Sequence, residues 1–203
     1  MNPLNNHRHS LILGIVLALV LTVLIGGFNF NELGFARWFH IVAGVFWIGL
    51  LYYFNVVQTP GLADAAADKS GPGGAGITKY VAPRALFWFR WGAVATWLGG
   101  AWLLGRAGKF VGAFTLGAGV DDPTHYFLII GTGAWLGTIM LFNVWVLIWP
   151  NQKKILGIVA STDQEKASAR KVAGMASRVN FVLSIPMLMC MAAASHGLPF
   201  IGH

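Results

Sequence analysis

Five long apolar blocks constrain this chain more than any other feature of its sequence. They cover residues 11–28, 34–57, 85–104, 125–149 and 181–200. Each is long enough to cross about 30 Å of hydrocarbon at about 1.5 Å of helix per residue. Only 10% of the 203 residues are charged, whereas a soluble domain carries about 25%. The sequence therefore predicts an all-α protein, a polytopic membrane bundle of five transmembrane helices that forms a single domain over residues 1–203.

The basic residues orient the predicted bundle. Ten Lys and Arg residues lie in the N-terminal segment, in the loops at 59–83 and 151–178 and at Arg84, next to the first of these loops, and three lie on the opposite side. Loops rich in Lys and Arg stay in the cytoplasm, so we expect a cytoplasmic N-terminus, cytoplasmic loops 59–83 and 151–178, and a C-terminus outside. The formal charge of +7 then belongs to a protein whose partner is the lipid bilayer, and we expect no nucleic acid.

Cysteine usage limits the kind of cofactor that the chain can hold. Its single cysteine, Cys190, lies inside the last apolar block. One cysteine excludes an intrachain disulfide, a Cys-rich zinc site and the C-x-x-C-H attachment of a c-type haem. Any redox cofactor must therefore be held without covalent thioether links.

The second apolar block carries a stripe of polar and small residues. At helical spacings of three and four, this stripe contains Arg37, His40, Gly44, Trp47, Leu51, Asn55 and Gln58. We expect the stripe to face the protein interior, because polar groups are costly in hydrocarbon. Gly44 would let a flat group approach the backbone one turn from His40, and Arg37, one turn nearer to water, would neutralise a carboxylate.

A second histidine, His196, lies near the outer end of the fifth block. Because the two blocks run in opposite directions, His40 and His196 are expected at nearly the same depth. Two imidazoles at matched depth on different helices are the arrangement that binds a haem axially, so the pair predicts haem b. For either histidine alone, a hydrogen bond to a carbonyl or to water is the simpler explanation.

A third histidine, His125, begins the fourth block on the same side. Together with His40 and His196 it would form a three-histidine copper or zinc site. The simpler interpretation is that His125 starts a helix that is capped by Asp122 or Thr124.

Three other features of the apolar blocks predict contacts. Arg90, in the third block, either extends to the cytoplasmic interface or binds an acidic cofactor group or a quinone carbonyl. Gly133 and Gly137 form a G-x-x-x-G pair, which is typical of close helix packing. Asn143 and Asn180 are candidate partners in an interhelical hydrogen bond.

The blocks also resemble the membrane N-terminal domain of the bacterial membrane-bound urate oxidase family. The shared residues are Arg37-Trp38-Phe39-His40 through Gly44 and Trp47, Phe89-Arg90-Trp91, Gly133-Ala134 and Gly137 with Asn143 and the exit Pro150-Asn151-Gln152-Lys153, and Pro186 with His196. The similarity extends over most of residues 34–200. The second block is also similar to the leading helix of integral-membrane protoporphyrinogen oxidases and of copper-resistance membrane proteins.

The resemblance implies a protein of the bacterial inner membrane that delivers electrons to cytochrome c, and it supports His40 as a ligand. Shortly before Gly133, where the resemblance leads us to expect a histidine, this sequence has Gly131 and Thr132. A haem-bearing subunit that relies on separate redox partners therefore fits better than a self-contained urate oxidase.

We thus expect a five-helix, cytochrome b-like protein with one haem b near the periplasmic face. It would pass electrons between a membrane donor or a partner catalytic subunit and a periplasmic acceptor such as cytochrome c, within a homo-oligomer or a larger membrane complex. The expected cofactor-binding residues are His40, His196, Arg37, Gly44, Trp47 and Arg90. Two alternatives stay open: a non-catalytic subunit or assembly protein that packs through its Gly-rich faces, and a copper-binding protein with ligands His40, His125 and His196.

Overall fold

The computed structural model describes residues 2–199, and within them every regular element is helical. The α-helices are α1 (His7–Gly26), α2 (Glu32–Tyr52), α3 (Thr59–Ala67), α4 (Ala82–Arg106), α5 (Phe110–Phe114), α6 (Tyr126–Phe142), α7 (Trp149–Ile155) and α8 (Asp163–His196). A short 3-10 turn covers Pro3–Asn5, and π-helical turns cover Tyr53–Gln58, Ile77–Val81 and Asn143–Ile148. The predicted all-α class is confirmed. Residue 200, the predicted end of the fifth span, lies outside the described range.

Four helical stretches in the described part of the chain are long and apolar enough to cross a membrane. They are His7–Gly26, Glu32–Ala67, Tyr126–Ile155 and Asp163–His196, and each overlaps one of the five predicted spans. The remaining span, 85–104, lies in α4, which has 25 residues. Arg84, Arg90 and the many Gly and Trp residues of α4 lower its hydropathy, so α4 is not among these candidates and the predicted total of five is not confirmed.

The chain divides into two compact units, Met1–Gly34 and Phe35–His203. In the first unit, the Asn6 side chain accepts a hydrogen bond from the Arg8 N–H at the start of α1, and no residue of α1 is buried. Because α1 satisfies its own backbone hydrogen bonds and exposes apolar side chains all round, it is suited to a lipid environment.

In the second unit, α2, α4, α6 and α8 form a closed ring in which each helix contacts the next. The contacts that close this ring join Gly92 to Trp47, Trp97 to Thr138 (2.9 Å), Asn143 to Asn180 (2.8 Å) and Ser184 to Tyr52 (3.3 Å). The α2–α8 pair is antiparallel, because Asn55, one turn after Tyr52, bonds to Ser177, two turns before Ser184. This up-and-down arrangement is that of a four-helix bundle.

The interior of the ring combines an apolar core with buried polar groups. The core consists of Trp47, Leu51, Phe89, Ala93, Met140, Val144, Ile148, Ala176 and Met187. Asn180 and Ser184 are fully buried at 0% exposure, and both are hydrogen-bonded. Large apolar side chains such as Val45 and Val182 are 67% exposed on the outside. A polar interior behind an apolar surface suits a lipid surrounding rather than water.

Glycines allow the closest helix contacts in the ring. A Cβ atom on Gly133 would lie 3.1 Å from Cβ of Cys190, so α6 packs tightly on α8 at that point. The close packing predicted from the G-x-x-x-G pair therefore holds at Gly133. Gly137 is buried, but a Cβ atom there would meet no atom within 4 Å.

All three π-helical turns end two residues before a proline. The prolines are Pro60, Pro83 and Pro150. Proline lacks an N–H and its ring clashes with the carbonyl four residues earlier, so a regular α-turn is unfavourable there. A wider turn relieves that clash while the chain stays helical. Pro186, by contrast, lies inside the regular helix α8.

These continuous helices shorten the two predicted loops. The helical path of α2 continues through the first π-turn into α3 and ends at Ala67, inside the predicted loop 59–83. Within the predicted loop 151–178, α8 already begins at Asp163. A capping box fixes that start, because Thr162 Oγ1 accepts from the Glu165 N–H and the Glu165 carboxylate accepts from the Thr162 N–H.

Candidate cofactor site

His40 is held in one ring orientation by the neighbouring helix. Its Nδ1 atom lies 2.7 Å from the carbonyl oxygen of Thr96 in α4. A carbonyl only accepts, so Nδ1 carries the hydrogen and donates it. The lone pair of His40 is therefore on Nε2. A backbone carbonyl bonded to one ring nitrogen is the usual way in which a protein prepares the other nitrogen to bind a metal.

Two glycines make room for this ring. A Cβ atom on Gly100 would lie 2.9 Å from Cε1 and 3.1 Å from Nδ1 of His40, and one on Gly99 would lie 3.2 Å from Cα of His40. Only glycine lets α4 approach α2 so closely. The glycine pair and the Thr96 carbonyl together determine where the imidazole lies.

The predicted stripe of α2 does face the interior, except at its N-terminal end. Trp47 is 2% and Leu51 0% exposed, whereas Arg37, near the N-terminus of α2, is exposed. The space beside Gly44 is occupied by the side chain of Thr96, 3.7 Å from where a Cβ atom would stand. In this structure Gly44 and Trp47 therefore serve contacts between helices, and no open slot for a flat group adjoins Gly44.

His196 lies in an exposed position at the last residue of α8. The register of α2 and α8 can be read from the Tyr52–Ser184 contact: His40 lies twelve residues before Tyr52, and His196 twelve residues after Ser184. Equal numbers of helical residues cover equal lengths, so the register is consistent with a common level. The imidazole of His196 nevertheless lies outside the interior of the bundle.

His125 starts a helix, as the simpler interpretation holds. The Asp122 carboxylate accepts hydrogen bonds from the N–H groups of Tyr126 (2.8 Å) and Phe127 (2.7 Å) at the start of α6. His125 itself is exposed and has a left-handed backbone with φ of 54°. Within residues 2–199, no group of three or more His, Cys, Asp or Glu side chains is placed to hold a metal ion. The three-histidine site is thus not assembled in this structure.

Arg90 lies apart from His40, nearer to the opposite end of the ring. His40 packs against Gly99, and nine residues of helix separate Gly99 from Arg90, a distance of about 13 Å along α4. Arg90 is 8% exposed, and its guanidinium carbon lies 3.4 Å from the ring centroid of Trp149. It is therefore buried and stacked on Trp149, and the structure does not bring it to the predicted histidine pair.

The structure thus places one of the two expected haem ligands, His40, in a suitable orientation. It leaves the other, His196, outside the ring of helices. His40 has the required orientation and an available Nε2, whereas His196 is exposed at the level that the helix register indicates. The residues that sequence reasoning missed are Thr96, Gly99 and Gly100. A glycine pair one turn after a threonine in an apolar block was the available signal, but only the helix register shows that it faces His40.

Residues 2–199 define a class first: an all-helical protein in which four helical stretches are long and apolar enough to span a membrane, with a half-buried histidine held in one orientation. Residues 124–202 match the family model described as urate oxidase N-terminal. This match spans α6 to α8 and includes His125 and His196, and it confirms the predicted resemblance over that part of the chain. Among curated proteins and among solved structures, no match was found.

Proposed function

We propose that the chain is a membrane-embedded b-type haem protein that passes electrons between a membrane donor, or a partner catalytic subunit, and a periplasmic acceptor such as cytochrome c. The observation that carries the proposal is the His40 imidazole, which the Thr96 carbonyl and Gly100 hold with Nε2 available. A bound haem b would supply reversible one-electron chemistry at its iron.

The residues of this chain have separate roles in the proposal. His40 Nε2 coordinates the iron, and the hydrogen bond from Nδ1 to Thr96 makes the ring a stronger electron donor. His196 is the second ligand, and the equal spacing from the Tyr52–Ser184 contact supports its level. Arg37, exposed one turn from His40, pairs with a propionate.

The proposal also includes the membrane topology. We propose that α4 crosses as the fifth span, because it stands between α2 and α6 in the ring and its length corresponds to about 38 Å. The excess of Lys and Arg in the N-terminal segment and in residues 59–83 and 151–178 supports a cytoplasmic N-terminus in a bacterial inner membrane. Single cysteines introduced into a Cys190→Ser chain, labelled from either side of sealed vesicles, test this orientation.

The direct test is a reduced-minus-oxidised spectrum of the purified protein with a pyridine haemochrome assay. We expect a b-type band that falls at least about tenfold in His40→Ala and His196→Ala, since loss of a ligand contact costs about 1.4 kcal/mol or more. His125→Ala is the matched control and should keep the band. Absence of the band, or a band unchanged in His40→Ala, would overturn the proposal. Copper that is lost in His125→Ala would support the copper alternative instead.

A finer test uses the glycine beside the imidazole. A Cβ atom in Gly100→Ala would meet the His40 ring, whereas one in Gly105→Ala, on the same helix, would meet no atom within 4 Å. We expect Gly100→Ala to shift the haem midpoint potential and the low-spin spectrum, and Gly105→Ala to leave both unchanged. Equal spectra in the two variants would remove His40 from the site.

The subunit alternative relied on Gly-rich faces for packing against partners. In the ring, Gly92, Gly99 and Gly133 are used for contacts within this chain, so these three are not available to a partner. Purified protein with no cofactor that co-purifies with large partners would support that alternative against the haem proposal.

A further inference from the structure

A second site lies on α4, α6 and α7, away from His40. Arg90 stacks on Trp149 at 3.4 Å, and Lys153 Nζ lies 5.9 Å from the centroid of the same ring. The Arg90 Nε atom is buried and has no hydrogen-bond partner. Two cations therefore share one indole ring at one end of the bundle.

No acidic side chain in the described range balances these cations. Neither Arg90 nor Lys153 forms an ion pair with any Asp or Glu among residues 2–199. A buried charge without a counter-charge is costly, and burial of Arg inside an apolar bundle points to a missing anion. Stacking on Trp149 compensates only part of that cost, because a cation–π contact contributes about 2 kcal/mol when desolvated.

An apolar groove adjoins this pair of cations. It has a volume of about 380 Å³, opens to the outside of the bundle between α4 and α6, and is lined by Val94, Trp97, Thr138, Leu141, Phe142 and Trp145. Val94 lies one turn after Arg90, and Trp145 one turn before Trp149. The groove therefore continues along the two helices from the position of the cations.

We propose that this site binds one anionic phospholipid. Its phosphate lies between Arg90 and Lys153, and one acyl chain lies in the groove between Val94 and Trp145. Charge complementarity selects this occupant, because two unpaired cations require an anion whereas a quinone is neutral. Basic pockets between membrane helices on the side of the positive loops are typical sites for anionic lipid headgroups. The inference is independent of the proposed haem.

The lipid would hold α4 against α6 and α7. Arg90 belongs to α4, while Trp149 and Lys153 belong to α7, so a shared phosphate bridges the two helices at this end. The direct polar contact between α4 and α6, from Trp97 Nε1 to Thr138 Oγ1, lies at the other end of the groove. We therefore expect the bound lipid to stabilise the folded protein as well as to occupy the groove.

The test compares phosphatidylglycerol with phosphatidylcholine, each added to delipidated, detergent-purified protein. Native mass spectrometry measures the lipid retained, and thermal unfolding measures stabilisation. We expect one phosphatidylglycerol per chain, a higher melting temperature than with phosphatidylcholine, and affinity about fivefold lower in Lys153→Gln and in Arg90→Gln, which corresponds to about 1 kcal/mol per cation. Arg178→Gln, an exposed residue on α8, removes the same charge and should have no effect.

Several outcomes would overturn the proposal. Equal binding of the two lipids, or loss of affinity in Arg178→Gln equal to that in Lys153→Gln, would mean general surface attraction. Stabilisation by inorganic phosphate or by short-chain dihexanoyl phosphatidylglycerol as strong as that by the long-chain lipid would exclude a role for the groove. Displacement of phosphatidylglycerol by an equimolar short-chain quinone would assign the groove to a quinone. Lys153→Gln keeps the test valid if Arg90→Gln does not fold.

Discussion

Two segments of the ring share one sequence pattern and differ in their surroundings. Residues 47–56 and 135–144 both read Trp, an aliphatic residue, Gly, four further residues, then Phe-Asn-Val. Each segment begins in the second half of a long helix, α2 or α6, and ends inside the π-turn that follows. The same pattern therefore occurs at the C-terminal ends of two helices of the bundle.

The shared residues nevertheless differ in burial and in hydrogen-bond partners. Trp47 is 2% exposed in the core, whereas Trp135 is 44% exposed on the outside. Asn143 is buried and bonds to the fully buried Asn180, whereas Asn55 is only partly buried and bonds to Leu51 O and to Ser177. Identical residues at identical spacing thus contribute differently, because the neighbouring helix decides how far each is covered.

The π-turns follow the prolines and not the shared pattern. Counted from the equivalent asparagines, the turn begins two residues before Asn55 in the first segment and at Asn143 itself in the second. Counted from Pro60 and Pro150, both turns end at the same place. The local backbone geometry is therefore determined by the proline that follows, through its missing N–H.

The tryptophan pair should show the largest difference between the two segments. We expect Trp47→Ala to lower the free energy of unfolding by about 3–5 kcal/mol, because a buried ring leaves a cavity. Trp135→Ala should cost about 1 kcal/mol, because it mainly loses one hydrogen bond from Nε1 to the Phe114 carbonyl. Unfolding of the two variants in mixed detergent micelles gives the comparison, and equal losses would contradict the burial that separates them.

The asparagine pair should show a smaller difference. Asn143→Ala leaves the buried Asn180 Oδ1 without its donor, at a cost of about 2 kcal/mol. Asn55→Ala should cost about 0.6 kcal/mol, the average for hydrogen bonds between membrane helices. Asn151→Ala, which removes only a bond within its own helix, is the control in the same unfolding assay. A larger loss at Asn55 than at Asn143 would reverse the proposed order.

The turns that follow the two segments provide the smallest difference, and it depends on pH. After α3, the Asp68 carboxylate accepts from the Ser70 hydroxyl and from the N–H groups of Ser70 and Gly71, at 2.7, 2.9 and 3.1 Å. These bonds lower the pKa of Asp68 below its usual value. The turn after α7, at Leu156 and Gly157, has no carboxylate of its own.

Because the folded pKa of Asp68 is lowered, its contribution to stability is present above the pKa of the unfolded chain. That contribution is lost as the pH falls through the folded pKa. We expect Ser70→Ala to move the Asp68 titration toward the ordinary value, as followed by NMR of carboxyl-labelled aspartate. An unmoved titration in Ser70→Ala would show that the hydroxyl is not the main cause.

Much of the fold could be predicted from the sequence, because hydrophobic length is a strong signal. The apolar blocks marked the positions of the long helices, and Asn143 and Asn180 were identified as an interhelical pair. The predicted loop 151–178 did not anticipate that α8 runs unbroken from Asp163, since Lys166, Arg170 and Lys171 give that part a loop-like composition. Its helix start depends on the Thr162–Glu165 capping box, a local signal that hydropathy does not register.

The site was predictable only in part. His40 was identifiable as a polar residue in an apolar block, but its partner is the backbone carbonyl of Thr96. Every residue has such a carbonyl, so the sequence does not show which one accepts the hydrogen bond. The stack of Arg90 on Trp149 joins residues 59 positions apart. Such a contact depends on how α4 and α7 are placed side by side, which a single sequence does not provide.

Gly131 is the position at which the resemblance leads us to expect a nearby histidine, and it packs against α5. A Cβ atom at this position would collide with the backbone carbonyl of Ala113 in α5 and would lie 2.9 Å from the Leu116 side chain. The short helix α5 thus occupies the volume in which a side chain at residue 131 would stand. A histidine could not be gained here by one substitution alone, because α5 would have to be displaced in the same evolutionary step.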